Sequence, residues 1–296
     1  MRSRGSDPVR IAIVSDIHGN MVALETVLAD CRDSGVDEFW FIGDFAAIGP
    51  EPVSVLDRVT SLPKASFTRG NTDRYIVTGD RPPPDLATVR ADPRLIERYA
   101  NIAASFAWTA GIATASGWFD WLAGLPLDLR LATPDGTRIL AVHASPGTDD
   151  GEGVHPGHGN EELARLIAGC DADVVFVGHT HEAMVRGVGS TLIVNLGSVS
   201  NPRAPDLRAS YVLLDIAGTG IELELRRVSY DHAGFIEGVR RSRHPATEFI
   251  LSHQRGELPA HAPHADHTVI KPGERIRVSR SEAPVATPSS RRASPA

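Results

Sequence analysis

Asp16 and His18 stand two residues apart at the end of an apolar run, residues 11–14. Both are metal-ligand types. The run has the length and β-branching of a buried strand. A strand that delivers a carboxylate and an imidazole at alternate positions puts both on one side of the chain. Four further apolar runs end alike: 39–42 before Asp44, 65–68 before Asn71, 137–142 before His143, and 174–177 before His179 and His181. Taken singly, each ending has an ordinary explanation, such as an Asx turn leading into a helix. Ligand types after five separate apolar runs are not accounted for that way. Parallel strands in one sheet would bring these ends to one edge, where α/β folds place their sites.

Carboxylate and imidazole ligands suit Zn, Mn, Fe, Co or Ni. One zinc ion takes about three or four such groups. Asp16, His18, Asp44, Asn71, His143, His179 and His181 exceed that number, and a carboxylate can bridge. The set therefore points to two divalent transition-metal ions. Ions ~3.5–4 Å apart clamp the oxygens of a phosphoryl group.

The elements that position these residues read as α/β. Leu24, Val27, Leu28 and Cys31 mark an amphipathic helix after the first strand, with Gly35 as its stop. Pro52 opens a helix after the second strand. Three strand–loop–helix units predict neighbouring parallel strands. Residues 75–125 read as a helical insertion lying near the site: a proline-rich loop, a helix through Leu95, Ile96, Tyr99, Ile102 and Phe106, and a second helix through Trp118, Trp121 and Leu122, capped by Ser116. Pro134-Asp135-Gly136 predicts a hairpin, and the second half is richer in antiparallel strands. An acidic, glycine-rich loop spans 146–159, where His155 and His158 read as solvated.

The ends read differently from the middle. Residues 1–9 are polar and read as a flexible N-terminus. From about His244 the chain is rich in Pro, Ala, Ser and Arg, which predicts a largely disordered tail over 244–296 with a short helix near 246–254. His253, His261, His264 and His267 read as solvated there. The domain proper is then 10–243.

Composition bounds the function. The 296 residues are 42% hydrophobic and 23% charged, with a net charge of −7. That balance disfavours a nucleic-acid partner. Cys31 and Cys170 stand far apart without a CxxC partner, so no disulfide framework is expected. The N-terminus has no apolar signal-peptide core, and no apolar run reaches the ~20 residues of a membrane span. A cytoplasmic location and no membrane partner are the resulting expectations, with a homo-oligomer left open.

The order Asp-x-His, Gly-Asp, Gly-Asn, His, Gly-His-x-His resembles the calcineurin-like metallophosphoesterase superfamily over roughly residues 10–231, with the insertion matching least. Gly70-Asn71-Thr72-Asp73 and the stretch 195–203 look most like its small YfcE-like branch. The resemblance implies a two-sheet β-sandwich flanked by helices. It implies that Asp16, His18 and His181 hold one metal, that Asp44 bridges, and that Asn71, His143 and His179 hold the other. A bridging hydroxide would then attack phosphorus in line. Arg69 and Arg203 are the candidate phosphate contacts, since bidentate arginine suits phosphate oxygens. Many members carry a histidine after Gly-Asn, thought to protonate the leaving group, and this chain has Thr72. Threonine is no acid near neutral pH.

The expected function is therefore a dinuclear-metal phosphoesterase, active on phosphodiesters or good-leaving-group esters, with a small phosphoester or nucleotide-like substrate. A serine/threonine phosphoprotein phosphatase or dinucleotide polyphosphate hydrolase is the alternative enzyme. A metal-binding scaffold with little catalysis is the alternative of another class.

Overall fold

The computed structural model describes residues 8–265 and 273–278. Three strand–helix units come first: β1 (Val9–Val14) and α1 (Met21–Asp33), β2 (Glu38–Ile42) and α2 (Pro52–Thr60), β3 (Ala65–Thr68) and α3 (Asn71–Thr78). The insertion follows as α4 (Leu86–Ala91), a 3₁₀ turn (Pro93–Leu95), α5 (Ile96–Ala115) and α6 (Phe119–Ala123). Ser116 ends α5, and Trp118 takes the capping position of α6. Then come β4 (Asp128–Ala132), β5 (Arg138–Val142), α7 (Asn160–Leu166), β6 (Val174–Val177), β7 (Met184–Val188), β8 (Thr191–Asn195), β9 (Ala209–Ala217) and β10 (Gly220–Val228). The chain continues through α8 (His232–Ser242), α9 (Thr247–Gln254) and β11 (Arg275–Val278).

The strands form two mixed sheets, in the orders β11-β10-β9-β1-β2-β3 and β4-β5-β6-β8-β7. β1, β2 and β3 run parallel, as do β5, β6 and β8. The apolar runs are continuous because both faces of each sheet are covered. On β1, Ile11 and Ile13 face the second sheet, packing with Ile139 and Phe176, while Ala12 and Val14 face the helices with Leu24 and Val27. On β5 and β6, Leu140, Val142, Val175 and Val177 turn outward onto Leu163 of α7. This two-residue alternation yields helices, sheet, sheet and helix in layers.

The convergence of strand ends differs from the one-sheet expectation. β1, β2 and β3 end on one sheet, and β5 and β6 end on the other. The five ends meet at one end of the sandwich instead of along one edge.

The short helix expected near 246–254 is present, whereas the disorder expected around it needs correction. α9 and β11 both fall after residue 244. α9 buries Ile250 and Leu251 in the same cluster as Phe235 and Val239 of α8. Its Gln254 amide donates to Ser200 O at 2.9 Å and accepts from Tyr230 Oη at 2.8 Å. β11 pairs antiparallel with β10, where Arg275 meets Glu222 and Glu224. A few well-placed apolar and pairing residues order a stretch whose average composition is polar. At the other terminus, Val9 already belongs to β1; residues 1–7, 266–272 (His267 among them) and 279–296 lie outside the described residues. No described helix is long and apolar enough to cross a membrane.

Candidate metal centre

The loop after β1 lies on the loop after β2. Ile17 N and His18 N both donate to Asp44 O, at 2.9 and 3.0 Å, and Asp16 N donates to Gly43 O at 3.2 Å. Such close approach needs glycine. A Cβ on Gly70 would meet Asp44 Oδ1 at 2.1 Å, and one on Gly178 would meet Asp16 Oδ2 at 2.4 Å. The ligand-type residues themselves take unusual backbone conformations. Asp16, His18, Asp44, His179 and His181 have φ of 58°, 46°, 58°, 67° and 64°. Non-glycine residues in this region cost ~1–3 kcal/mol each and gather where a site demands them.

All seven side chains converge. His181 Nε2 lies 3.1 Å from Asp16 Oδ1 and 3.1 Å from His18 Nε2. His18 Nε2 is 3.7 Å from Asp16 Oδ1 and 3.8 Å from Asp44 Oδ2. His143 Nε2 is 3.4 Å from Asp44 Oδ2. Asn71 Oδ1 sits 3.1 Å from His143 Nε2 and 3.0 Å from His179 Nδ1. Asp44 thus lies between an Asp16–His18–His181 group and an Asn71–His143–His179 group.

The outer ring nitrogens fix which nitrogen faces inward. His18 Nδ1 donates to Ala47 O, His143 Nδ1 to Ile42 O at 2.8 Å, and His181 Nδ1 to Asn201 O at 2.9 Å. His179 is turned the other way, with Nε2 donating to Gly151 O at 2.9 Å and Nδ1 inward. A carbonyl only accepts, so each neutral ring points a lone pair at the centre. The lone pairs of His18 and His181 then face one another, and the Asn71 oxygen faces two more. Asp16 Oδ1 is buried without a hydrogen-bond partner. Acceptors facing acceptors require positive charge among them, so the donor set fits divalent cations.

Protons provide that charge when no cation is bound. Burial opposes a charged His143, but Asp44 and Asp16 outweigh it and push its pKa up to about 10. His18 is raised in the same way against burial, by Asp16 and Asp44. Burial also opposes ionisation of Asp16, yet His181 and His143 hold its carboxyl well below the usual range. His179 moves down, through burial and the neighbouring His143.

The two arginines part company. Arg69 Nε donates to Asp149 Oδ2 at 2.6 Å, an acid that Arg74 shares, and Arg69 does not join the lining of the cleft above the centre. Arg203 lines that cleft, and its Nε is buried without a partner. Thr72 also lines the cleft and donates through Oγ1 to Ala47 O at 3.2 Å. Asp73 accepts from Asp44 N, Gly70 N and Phe45 N at 2.7, 2.8 and 3.1 Å, holding the two loops together. Burial and Asp44 push its carboxyl up to about 7, against those three donors.

Three features escaped the sequence reading. The acidic loop supplies Gly151 O to His179, and its His158 is buried beside Glu152 at 3.1 Å. His261 is held by Glu182 through its backbone N at 2.8 Å and its ring at 2.5 Å. His253 of α9 is buried against the centre, its ring 6.0 Å from that of His181. The one sequence signal for His253 is its place four residues after Phe249 on an apolar helical face.

A two-sheet sandwich with carboxylate and imidazole ligand types at its parallel strand ends is the architecture of a metal-centred hydrolase class. The chain belongs to the calcineurin-like phosphoesterase superfamily, whose domain profile matches residues 9–219. An uncharacterized Methanocaldococcus jannaschii protein, MJ0912, is 26% identical over 251 residues, which is 79% of this chain and 93% of that one. The crystal structure of a metallophosphoesterase from Sphaerobacter thermophilus is similar with a TM-score of 0.62 at 25% identity, covering 84% of this chain and 99% of that chain. The hypothetical protein PH1004 from Pyrococcus horikoshii shares the fold with a TM-score of 0.68 at 19% identity, over 84% and 98% of the two chains.

Proposed function

We propose that this protein is a dinuclear-metal phosphoesterase that hydrolyses phosphodiesters and other esters with good leaving groups. The observation that carries the reading is the ring of converging acceptors. The His18 and His181 Nε2 atoms stand 3.1 Å apart, and Asn71 Oδ1 faces two imidazole nitrogens. Asp16, His18 and His181 would hold one ion, Asn71, His143 and His179 the other, and Asp44 both. Divalent ions held there supply positive charge to phosphoryl oxygens and make water ionisable near neutral pH.

The protein's own groups do the rest. Arg203 faces the cleft with an unpaired guanidinium nitrogen, suited to a phosphoryl oxygen. Asp73 keeps the Asp44 and Gly70 backbones in register. Thr72 offers no proton to a departing alkoxide, so the leaving group departs largely unprotonated. That favours esters of acidic alcohols.

The test is turnover of bis(p-nitrophenyl) phosphate and p-nitrophenyl phosphate by protein loaded with manganese, beside a metal count. Turnover of the diester well above the monoester, with about two ions per chain, is the expected result. Turnover of neither ester by fully loaded protein would overturn the reading.

A further inference from the structure

A cleft of about 870 Å³ opens above the metal centre. A phosphoryl group alone does not fill it; cavities of ~300–1,000 Å³ enclose whole small-molecule ligands. Its floor is the ligand set, and its walls come from elsewhere. α5, from the insertion, brings Ile102, Ser105 and Phe106, while α9 brings Phe249 and His253. α9 lies outside the part of the chain that matches the superfamily profile.

Two wall residues leave polar atoms unsatisfied. Ser105 Oγ and His253 Nδ1 are buried and have no hydrogen-bond partner. Their residues are 2% and 4% exposed, and both line the cleft. A buried polar atom left without a partner is costly. Two of them lining one cleft from different helices are explained together if a ligand completes them. α9 is held in place beside the cleft, because Gln254 bonds Ser200 and Tyr230. Burial disfavours the charged form of the His253 ring. A neutral ring has one donor and one acceptor nitrogen. The cleft that Ser105 and His253 line also carries the apolar and aromatic side chains of Ile102, Phe106, Phe249 and Tyr75, with Arg98 and Glu248 among its charged groups. Phe249 is 50% exposed and sets its ring edge-on to His253, with centroids 5.1 Å apart.

We infer that α5 and α9 form a subsite for the organic group of the ester, in which Ser105 and His253 hydrogen-bond a ring-bearing, nucleoside-like moiety. The rings pack on Phe106 and Phe249, and the polar ring atoms meet Ser105 Oγ and His253 Nδ1. The inference rests on the phosphoesterase reading for its substrate and deepens it, since it names the alcohol side of the ester.

The experiment compares two ligands with the same phosphate head. Thymidine 5′-monophosphate and methyl phosphate are titrated calorimetrically into metal-loaded, full-length protein. The nucleotide should bind about tenfold tighter or more. Ser105→Ala and His253→Ala should each cut that margin about threefold to tenfold, the value of one hydrogen bond. His253→Asn, which keeps an amide donor, should recover part of the loss. Melting temperature and metal content identify any variant that fails to fold, and Phe249→Ala then serves as an independent probe of the same margin. Equal affinity for the two ligands, or a margin that the variants leave untouched, would overturn the subsite. Turnover is not needed for this measurement. An inactive protein that keeps the nucleotide margin removes the esterase reading alone, and an active protein without the margin removes the subsite alone.

Discussion

The floor and the walls of the cleft are built on opposite plans. On the floor, ligand-type side chains stand at strand ends, are fixed by carbonyls on their outer nitrogens, and sit on strained left-handed backbone. None of the four histidines there can turn without breaking a hydrogen bond to a backbone carbonyl. On the walls, α5 and α9 carry unpaired polar atoms and a half-exposed phenylalanine on helices packed from outside the sandwich. Rigid, fully determined geometry suits a fixed reaction, whereas incomplete surfaces suit recognition. On the function proposed above, the contrast would put chemistry on the floor and choice of ester on the walls.

The sharpest way to break that division is to change the residue at the centre of the floor. Asp44→Asn removes one negative charge from the point where both ligand groups meet. Bound metal should fall, and turnover should drop on the order of 10³-fold for every ester alike. Metal analysis beside initial rates on two unlike substrates checks this. A loss confined to one substrate would move Asp44 from chemistry to recognition.

The next effect concerns the walls. Removing the chain after Arg243 deletes α9, which buries Ile250 and Leu251. Each contributes ~1.5–3 kcal/mol through burial, so the melting temperature should fall by several degrees. Substrate ranking should change while metal content of the folded fraction holds. A truncated protein with unaltered melting temperature and ranking would show that α9 is an ornament on the fold and not a wall.

These two tests also mark what the sequence made legible. The floor was readable because its geometry is written locally: an apolar run, a glycine for close approach, then a ligand type. A ligand type after each of five apolar runs, with the glycine present in three of them at Gly43, Gly70 and Gly178, exposed the site, although the strand ends come from two sheets and not one. The walls were readable only as elements, a helical insertion near the site and a short helix near 246–254, and the way α9 docks on the cleft was not. His253 lies in a stretch whose average composition is polar, and its burial depends on Gln254 reaching Ser200, 54 residues earlier in the chain. Arg69 and Arg203 looked equivalent by type. Asp149, 80 residues after Arg69, decides between them by engaging one. Long-range pairings of single polar residues leave no periodic trace.

A smaller effect follows from the charge on the floor. His143 has its pKa pushed up to about 10 in the folded, metal-free protein, above the ~6.5 of an unfolded chain. Its protonated ring therefore stabilises the fold fully below pH ~6.5, and that contribution is lost as pH rises through about 10. A bound cation needs the neutral ring, so loading near pH 8 should release about one proton or more per chain. Calorimetry in buffers of different ionisation enthalpy measures the number. The stabilisation given by metal should also grow from pH 6 to pH 9. Metal binding without proton release would mean that the floor is already neutral, and that the carboxylates do not govern it.

The smallest expected effect falls on the boundary between floor and wall, at Thr72. A histidine placed there would look like the restoration of a missing acid, and a positioned general acid contributes about 10²–10⁴-fold. The neighbouring carboxylate argues against so large a gain. Asp73 would have to orient the new imidazole and raise its pKa, but both Asp73 oxygens already accept backbone N–H groups from Asp44, Phe45 and Gly70. Breaking those bonds would unfasten the loop that carries Asp44. Thr72 itself has a structural task, with its backbone N–H on Asp44 Oδ1 at 2.9 Å and its hydroxyl on Ala47 O. Thr72→His should therefore change alkyl and aryl ester rates by less than about tenfold, well short of a general acid's contribution. A Brønsted series on aryl phosphodiesters should keep the steep leaving-group dependence of the native protein. A clearly shallower slope in Thr72→His, with metals still bound, would show that an imidazole at this position works without Asp73. Recognition and proton transfer would then share the same rim of the cleft.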